Sequence, residues 1–229
     1  MSPAPSGLAG LSERVFQAVV FDNDGTLIDS TPAVDRSWAR WAAERDIPQH
    51  RLSGFHGVPA LAIATALVPE HQLSDAIARI HELELADLDD VLPLPGAAAA
   101  LAALGDRCAI ATSATRALAL LRLRAAGLQP PAVLVTVDDV RNGKPDPEPY
   151  LLAASRLGVD PARCLVVEDA PSGIAAAAAA GCTTIAVTTT TPAAELAADA
   201  VIDTLAQLRW IVTDGGIRVA PADQESSGR

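Results

Sequence analysis

Two carboxylates stand two residues apart in Asp22-Asn23-Asp24-Gly25-Thr26. They follow the apolar run Ala18–Phe21, which reads as a short buried strand that the glycine then ends. In open α/β sheets ligands bind beyond the C-terminal ends of the strands. Carboxylates this close repel unless a cation or a proton lies between them. The pair therefore suggests a nucleophile, a divalent metal and an acid/base in one small volume. Asp22 is suited to attack phosphorus and carry an aspartyl-phosphate. Asp24 is suited to protonate a leaving oxygen and then to activate water. Thr26 is expected to orient Asp24 by a hydrogen bond. The ordinary alternative is an Asx-Gly turn. A calcium loop is ruled out, because its sixth and twelfth positions, which want Gly and Glu, are Leu27 and Ala33.

Three further stretches carry chemistry of the same kind. Thr112-Ser113-Ala114-Thr115 places hydroxyls and backbone N–H groups between a strand and a helix, a cradle for phosphate formed by Thr112, Ser113 and Ala114; routine helix capping is the bland alternative. Lys144 lies in Asn142-Gly143-Lys144-Pro145-Asp146-Pro147, a rigid loop from which an ammonium can neutralise both a nucleophile and a transferring phosphoryl group. Most lysines are simply solvated. Glu168-Asp169 ends another apolar run and can supply oxygen ligands to Mg²⁺, while Asp169 could equally cap the next helix.

The elements that must hold these groups alternate. Apolar runs at Ala18–Phe21, 108–112, 132–137, Cys164–Glu168 and Thr183–Val187, with a weak edge strand at 199–202, are separated by helical patterns at 96–104, 116–126, 147–157 and 172–180. That order means an α/β fold, a Rossmann-like parallel sheet covered on both faces. The region 32–93 breaks the alternation. It begins with Thr31-Pro32, a good helix start, and holds only helical patterns, including 60–67 and 73–88. We read it as an all-helical cap inserted into a core made of 13–31 and 94–214, placed to close over the site as a lid. Residues 1–12 read as a disordered lead-in without the basic start of a signal peptide, and 215–229 as a flexible tail.

The chain has 229 residues, half of them hydrophobic but only 3% aromatic, so the core is built from Ala, Leu, Val and Ile. The net charge of −11 argues against a nucleic-acid partner. No apolar run approaches a bilayer span of ~20 residues, so no membrane partner is expected. Cys108, Cys164 and Cys182 are far apart, without metal-ligand spacing, and read as buried thiols of a cytoplasmic protein. A monomer or weak dimer is the expected state.

Taken together, Phe21-Asp22-Asn23-Asp24-Gly25-Thr26-Leu27-Ile28-Asp29-Ser30, Ala111-Thr112-Ser113, Gly143-Lys144-Pro145 and Val167-Glu168-Asp169-Ala170-Pro171-Ser172-Gly173-Ile174 resemble, in order, the four motifs of the haloacid dehalogenase superfamily of phosphatases and phosphomutases. The resemblance spans residues 15–187, accounts for the helical insert, and is nearest to the glycerol-3-phosphate and 2-deoxyglucose-6-phosphate phosphatases. It implies Asp22 as nucleophile, Asp24 as acid/base, and Ser113 and Lys144 as phosphate binders. It also implies Mg²⁺ held by Asp22, the backbone carbonyl of Asp24, and Asp169, with Glu168 acting directly or through water. A small sugar or polyol phosphate is the implied partner. The superfamily's dehalogenases lack the second carboxylate, so Asp24 argues for phosphoryl transfer. A β-phosphoglucomutase-like mutase is the competitor; such enzymes look for a cap His and Arg where this chain has Val34 and Ala60. A non-enzymatic phospho-ligand module ranks last, because all four motif residues are present. The cap stretch His56-Gly57-Val58-Pro59 lacks the Arg common in polyol phosphatases, leaving His56 as a possible substrate contact.

Overall fold

The protein is described by a computed structural model over residues 7–52 and 58–222. The chain opens with a short helix α1 (Leu8–Leu11), strand β1 (Ala18–Phe21) and a two-residue strand β2 (Ile28–Asp29). Helices α2 (Thr31–Ala43), α3 (Ala60–Leu67) and α4 (Leu73–Ala86) follow, then β3 (Leu92–Pro93) and α5 (Ala97–Leu104). The remainder alternates: β4 (Cys108–Ala111), α6 (Arg116–Ala125), β5 (Val133–Val135), α7 (Glu148–Leu157), β6 (Cys164–Glu168), α8 (Pro171–Ala179), β7 (Thr183–Val187) and β8 (Ala200–Ile202). A hairpin of β9 (Leu208–Thr213) and β10 (Gly216–Pro221) ends the described chain.

Six strands form one sheet in the order β5-β4-β1-β6-β7-β8, and every pairing is parallel. Parallel strands covered on both faces need unbroken apolar runs. β1, β4, β6 and β7 are buried at every position. Strand side chains alternate between faces. Val19, Phe21, Leu165 and Val167 accordingly join α5 and the hairpin in one core. Ala18, Val20, Cys164 and Val166 pack under α7 and α8 in a second. β1 lies between β4 and β6, so successive connections leave it in opposite directions. The crevice beyond its C-terminal end is the topological switch point of the sheet.

The insert has a core of its own. Trp38, Trp41, Ile63, Ala76, Ile80 and Leu83 pack together, Trp38 meets Trp41 edge-on at 5.2 Å, and Trp41 Nε1 donates to the Ala76 carbonyl at 2.8 Å. The chain leaves and re-enters the sheet domain side by side, because β2 and β3 pair antiparallel through Ile28–Pro93 and Asp29–Leu92.

Both chain ends differ from expectation where they are described. Residues 7–12 are not a free lead-in: α1 buries Leu11, and the Gly7 N–H donates to the Asp199 carbonyl at 3.0 Å. Residues 215–222 are not a frayed tail. β10 pairs with β9, Phe16 and Ile217 exchange backbone hydrogen bonds of 2.8 and 2.7 Å, and Ile217 and Val219 are fully buried. The physical reason is apolar burial: Leu11, Ile217 and Val219 join the core that Val19 and Phe21 form with α5. The three cysteines are buried free thiols. Among the described residues no helix is long and apolar enough to cross a membrane.

Candidate active site

Asp22 is the first residue past β1, and its N–H donates to the Val167 carbonyl of β6 at 2.9 Å. That bond carries the sheet register one residue beyond the strand and aims the side chain into the crevice. β6 brings Glu168 and Asp169 to the same edge. Ligand atoms of Asp22, Glu168 and Asp169 all lie within 4.8 Å of one another, and all three residues are buried. Lys144 reaches in from its loop, with Nζ donating to Asp22 Oδ1 at 2.5 Å and Glu168 Oε1 at 2.6 Å; its side chain is 3% exposed.

Burial, reinforced by Glu168 and Asp169, pushes the Asp22 carboxyl well above its usual range, against the pull of Lys144. Burial and Glu168 likewise push Asp169 up to about 7, opposed by hydrogen bonds from Thr190 and Thr26. Burial alone would lower the Lys144 ammonium, but Asp22 and Glu168 outweigh it and hold it above the lysine range. Three carboxylates with one ammonium leave an excess of buried negative charge. An all-oxygen, carboxylate-rich set of this kind fits a hard divalent cation. Two glycines keep it compact: a Cβ on Gly25 would collide with the Asp169 carboxylate, and one on Gly173 with the Glu168 carboxylate.

Glu168 is less open than its neighbours. Oε1 also accepts from the Tyr150 hydroxyl at 2.7 Å, and Oε2 accepts the N–H groups of Asp169 and Ala170 at 3.0 and 3.1 Å. It fixes Lys144 and the turn into α8.

Asp24 stands apart from the trio. Its Oδ1 accepts from Ser30 Oγ at 2.6 Å and Arg122 Nη1 at 2.9 Å, and its Oδ2 from Asn23 Nδ2 at 3.2 Å. Thr26, expected to orient Asp24, instead donates to Asp169 Oδ1 at 3.3 Å, because the turn at Gly25 swings it towards β6. At the end of β4, Thr112, Ser113 and Ala114 line the same cavity as Asp22, Asp24 and Asp169. The Ala114 N–H, expected to be open to a phosphate, donates to Thr112 Oγ1 at 3.1 Å, a turn the strand-end hydroxyl makes with its own backbone. Thr115 caps α6 through the Leu118 N–H at 3.4 Å. His56 lies outside the described residues.

The cavity measures about 400 Å³ and runs from this edge up to the insert. The insert lines it with Val34, Trp38, Leu52, Val58, Ala60 and Ile63, and with Asp35, Gln49, His81 and Glu84. The residues of the site not singled out from the sequence include Tyr150, Thr190, Glu84 and Arg122. Arg122 alone left a signal. It shares a helical stripe with buried Leu118 and Ala119, four and three residues before it, so periodicity marks it as a cation on an apolar face.

Residues 16–181 match the family model for haloacid dehalogenase-like hydrolases. Hexitol phosphatase A of Escherichia coli is 40% identical over 162 residues, covering 68% of this chain and 75% of its own. The plasmid phosphoglycolate phosphatase of Cupriavidus necator is 39% identical over 225 residues, covering 90% and 96%. Among solved structures, a haloacid dehalogenase-like hydrolase of Bacteroides fragilis superposes with a TM-score of 0.75 at 26% identity, covering 84% of this chain and 99% of that one. The chain belongs to the haloacid dehalogenase-like hydrolases. Within them it is a phosphoric monoester hydrolase.

Proposed function

We propose that the enzyme hydrolyses a small sugar or polyol phosphate through an aspartyl-phosphate on Asp22. The observation that carries this reading is the convergence of Asp22, Lys144, Glu168 and Asp169 in one buried volume at the switch point, with Asp24 on the adjoining turn. In it, Asp22 attacks phosphorus as the bond from phosphorus to the ester oxygen breaks, and Asp24 gives that oxygen a proton. Asp24 then takes a proton from the water that attacks the phosphorus of the acyl phosphate, which returns Asp22 and releases inorganic phosphate. Lys144 opposes the charge of both the nucleophile and the phosphoryl oxygens. Asp22, Asp169 and the backbone carbonyl of Asp24 would hold Mg²⁺, with Glu168 supporting from behind through Lys144. The cation supplies charge neutralisation of the phosphoryl group.

The cavity supports a hydroxyl-bearing, uncharged leaving group. Among the described lining residues Arg122 is the one arginine or lysine, and both arms of its fork are occupied by carboxylates of the protein. Among the described lining residues, a carboxylate or second phosphate on the substrate would face Asp35 and Glu84 with no free arginine or lysine to oppose its charge. This favours the substrate class named for the hexitol phosphatase over that of the phosphoglycolate phosphatase, and hydrolysis over mutase chemistry, which must seat a bisphosphate.

Phosphate release with Mg²⁺ from a panel of hexitol, glycerol and hexose phosphates, phosphoglycolate and pyrophosphate tests the reading. Uncharged polyol and sugar esters should be turned over fastest. Asp22→Asn should abolish turnover, and Asp24→Asn should lower steady-state hydrolysis by roughly 10²–10⁴. Full activity of Asp22→Asn, or isomer instead of phosphate from a hexose 1-phosphate supplied with its bisphosphate, would refute it.

A further inference from the structure

Arg122 is a buried guanidinium that joins the two parts of the molecule. Its side chain is 4% exposed. Nη1 donates to Asp24 Oδ1 at 2.9 Å, and Nη2 to Glu84 Oε1 at 3.3 Å. Asp24 belongs to the sheet domain, Arg122 to α6 and Glu84 to α4 of the insert. Nε is buried with no hydrogen-bond partner. The hydrogen bonds that hold the fork are thus those to the two carboxylates. A planar guanidinium offers its donors in a fixed geometry, so fixing one arm aims the other. Burying a cation between two carboxylates is a weak route to stability, and in some proteins such groups serve instead to specify one arrangement.

Asp24 is the group specified. Its Oδ1 is taken by Ser30 and Arg122 together, whereas Oδ2 has the long contact to Asn23 at 3.2 Å. Proton exchange with a substrate oxygen therefore falls to Oδ2, and the bonds on Oδ1 set where Oδ2 points.

We infer that Arg122 is a positioning residue for Asp24, and that through Glu84 it makes the aim of that carboxylate depend on the insert being seated on the sheet domain. The inference rests on the phosphatase reading and adds to it how the acid/base is held. With the insert seated, the fork is fixed from both sides. With the insert lifted, Glu84 leaves with α4 and the arm on Asp24 loses its anchor. Proton delivery is then strongest when the cavity is closed around a substrate, and weak when water fills it.

The consequence depends on the leaving group. An alkyl alcohol departs as a strong base and needs the proton; p-nitrophenolate departs without one. kcat/KM covers the steps up to alcohol departure and omits the later hydrolysis of the phosphoenzyme. The test compares kcat/KM for glucitol 6-phosphate and for p-nitrophenyl phosphate in the full-length enzyme with Mg²⁺. Arg122→Lys keeps the charge and removes the fork, and should lower the alkyl-to-aryl ratio by roughly tenfold or more. Glu84→Gln should lower the same ratio by a smaller factor, and the double variant should fall short of the product of the two, as expected of residues acting through one contact. Equal losses on both esters would show that Arg122 is structural and would overturn the inference. An unchanged ratio in Glu84→Gln would overturn the link to the insert, and that variant carries the test alone should Arg122→Lys not fold. Asp22→Asn abolishing both activities keeps the phosphatase reading intact under each of these results. Failure of the unsubstituted enzyme to hydrolyse either ester would end both.

Discussion

Glu168 holds four donors at once: Lys144, the Tyr150 hydroxyl and two backbone N–H groups. Tyr150 is fully buried, and burial and Glu168 push its phenol well above the usual range, so it stays a neutral donor at any working pH. Tyr150→Phe removes that donor without changing the packing volume. The lost bond is to a charged acceptor, so stability should fall by about 1.5–3 kcal/mol in urea unfolding, with kcat/KM falling severalfold as Lys144 loses part of its support. An unchanged midpoint would show that the hydroxyl carries no weight. Tyr150 was not legible in the sequence, and the reason is physical. It shares a helical face with Ala153 and Ala154, and an aromatic on such a face reads as core. Asp22, Lys144 and Asp169 were legible because charge at the end of an apolar strand or inside a proline-braced loop has no packing explanation. The long-range pairings were invisible: Thr190 is ordinary where it stands, and the apolar stripe that marks Arg122 as buried does not say that its partners are Asp24 and Glu84.

The parallel strands could be read from unbroken apolar runs, and α2 from its proline start, because burial on both faces and a fixed first turn each leave a local mark. The hairpin was missed although it too left marks. Asp214-Gly215 is a two-residue hairpin signal, and Ile217-Arg218-Val219 alternates with period two. The polar, glycine-containing composition of the segment outweighed both. The element has a measurable role. Ile217 and Val219 are fully buried against β1's face of the sheet, and fully burying an aliphatic side chain is worth ≈1.5–3 kcal/mol. A chain ending at Thr213 should therefore lose several kcal/mol, seen as a lower thermal midpoint, with KM for its substrate nearly unchanged in whatever fraction remains folded. The site lies at the C-terminal edge of the strands, away from this face. A truncated chain as stable as the full one would show that the hairpin is ornamental.

The whole molecule carries a net charge of −11 and concentrates part of that charge where water cannot screen it. Asp169 has its pKa raised from 3.8 to about 7 by burial and by Glu168. The sign of the linkage follows. Between those two values the folded protein holds a proton that the unfolded chain has released, so stability falls as pH rises through this window and levels off above it. A divalent cation bound to the folded carboxylates opposes the loss, by about 2.7 kcal/mol at a hundredfold excess over its dissociation constant. Other carboxylates contribute too: Asp22 and Glu84 have raised values and act in the same sense, whereas Glu44 beside Arg79 has a lowered value and acts in the opposite sense at more acidic pH, so the comparison is made against Asp169→Asn. With chelator present, the melting temperature of Asp169→Asn should climb relative to the unsubstituted protein from about pH 5 to about pH 7 and then hold steady. Mg²⁺ added near neutral pH should raise the unsubstituted protein's midpoint and leave that of Asp169→Asn almost where it was. A gap between the two proteins that ignores pH would mean that Asp169 does not bear this strain, and an equal response to Mg²⁺ would place the cation elsewhere.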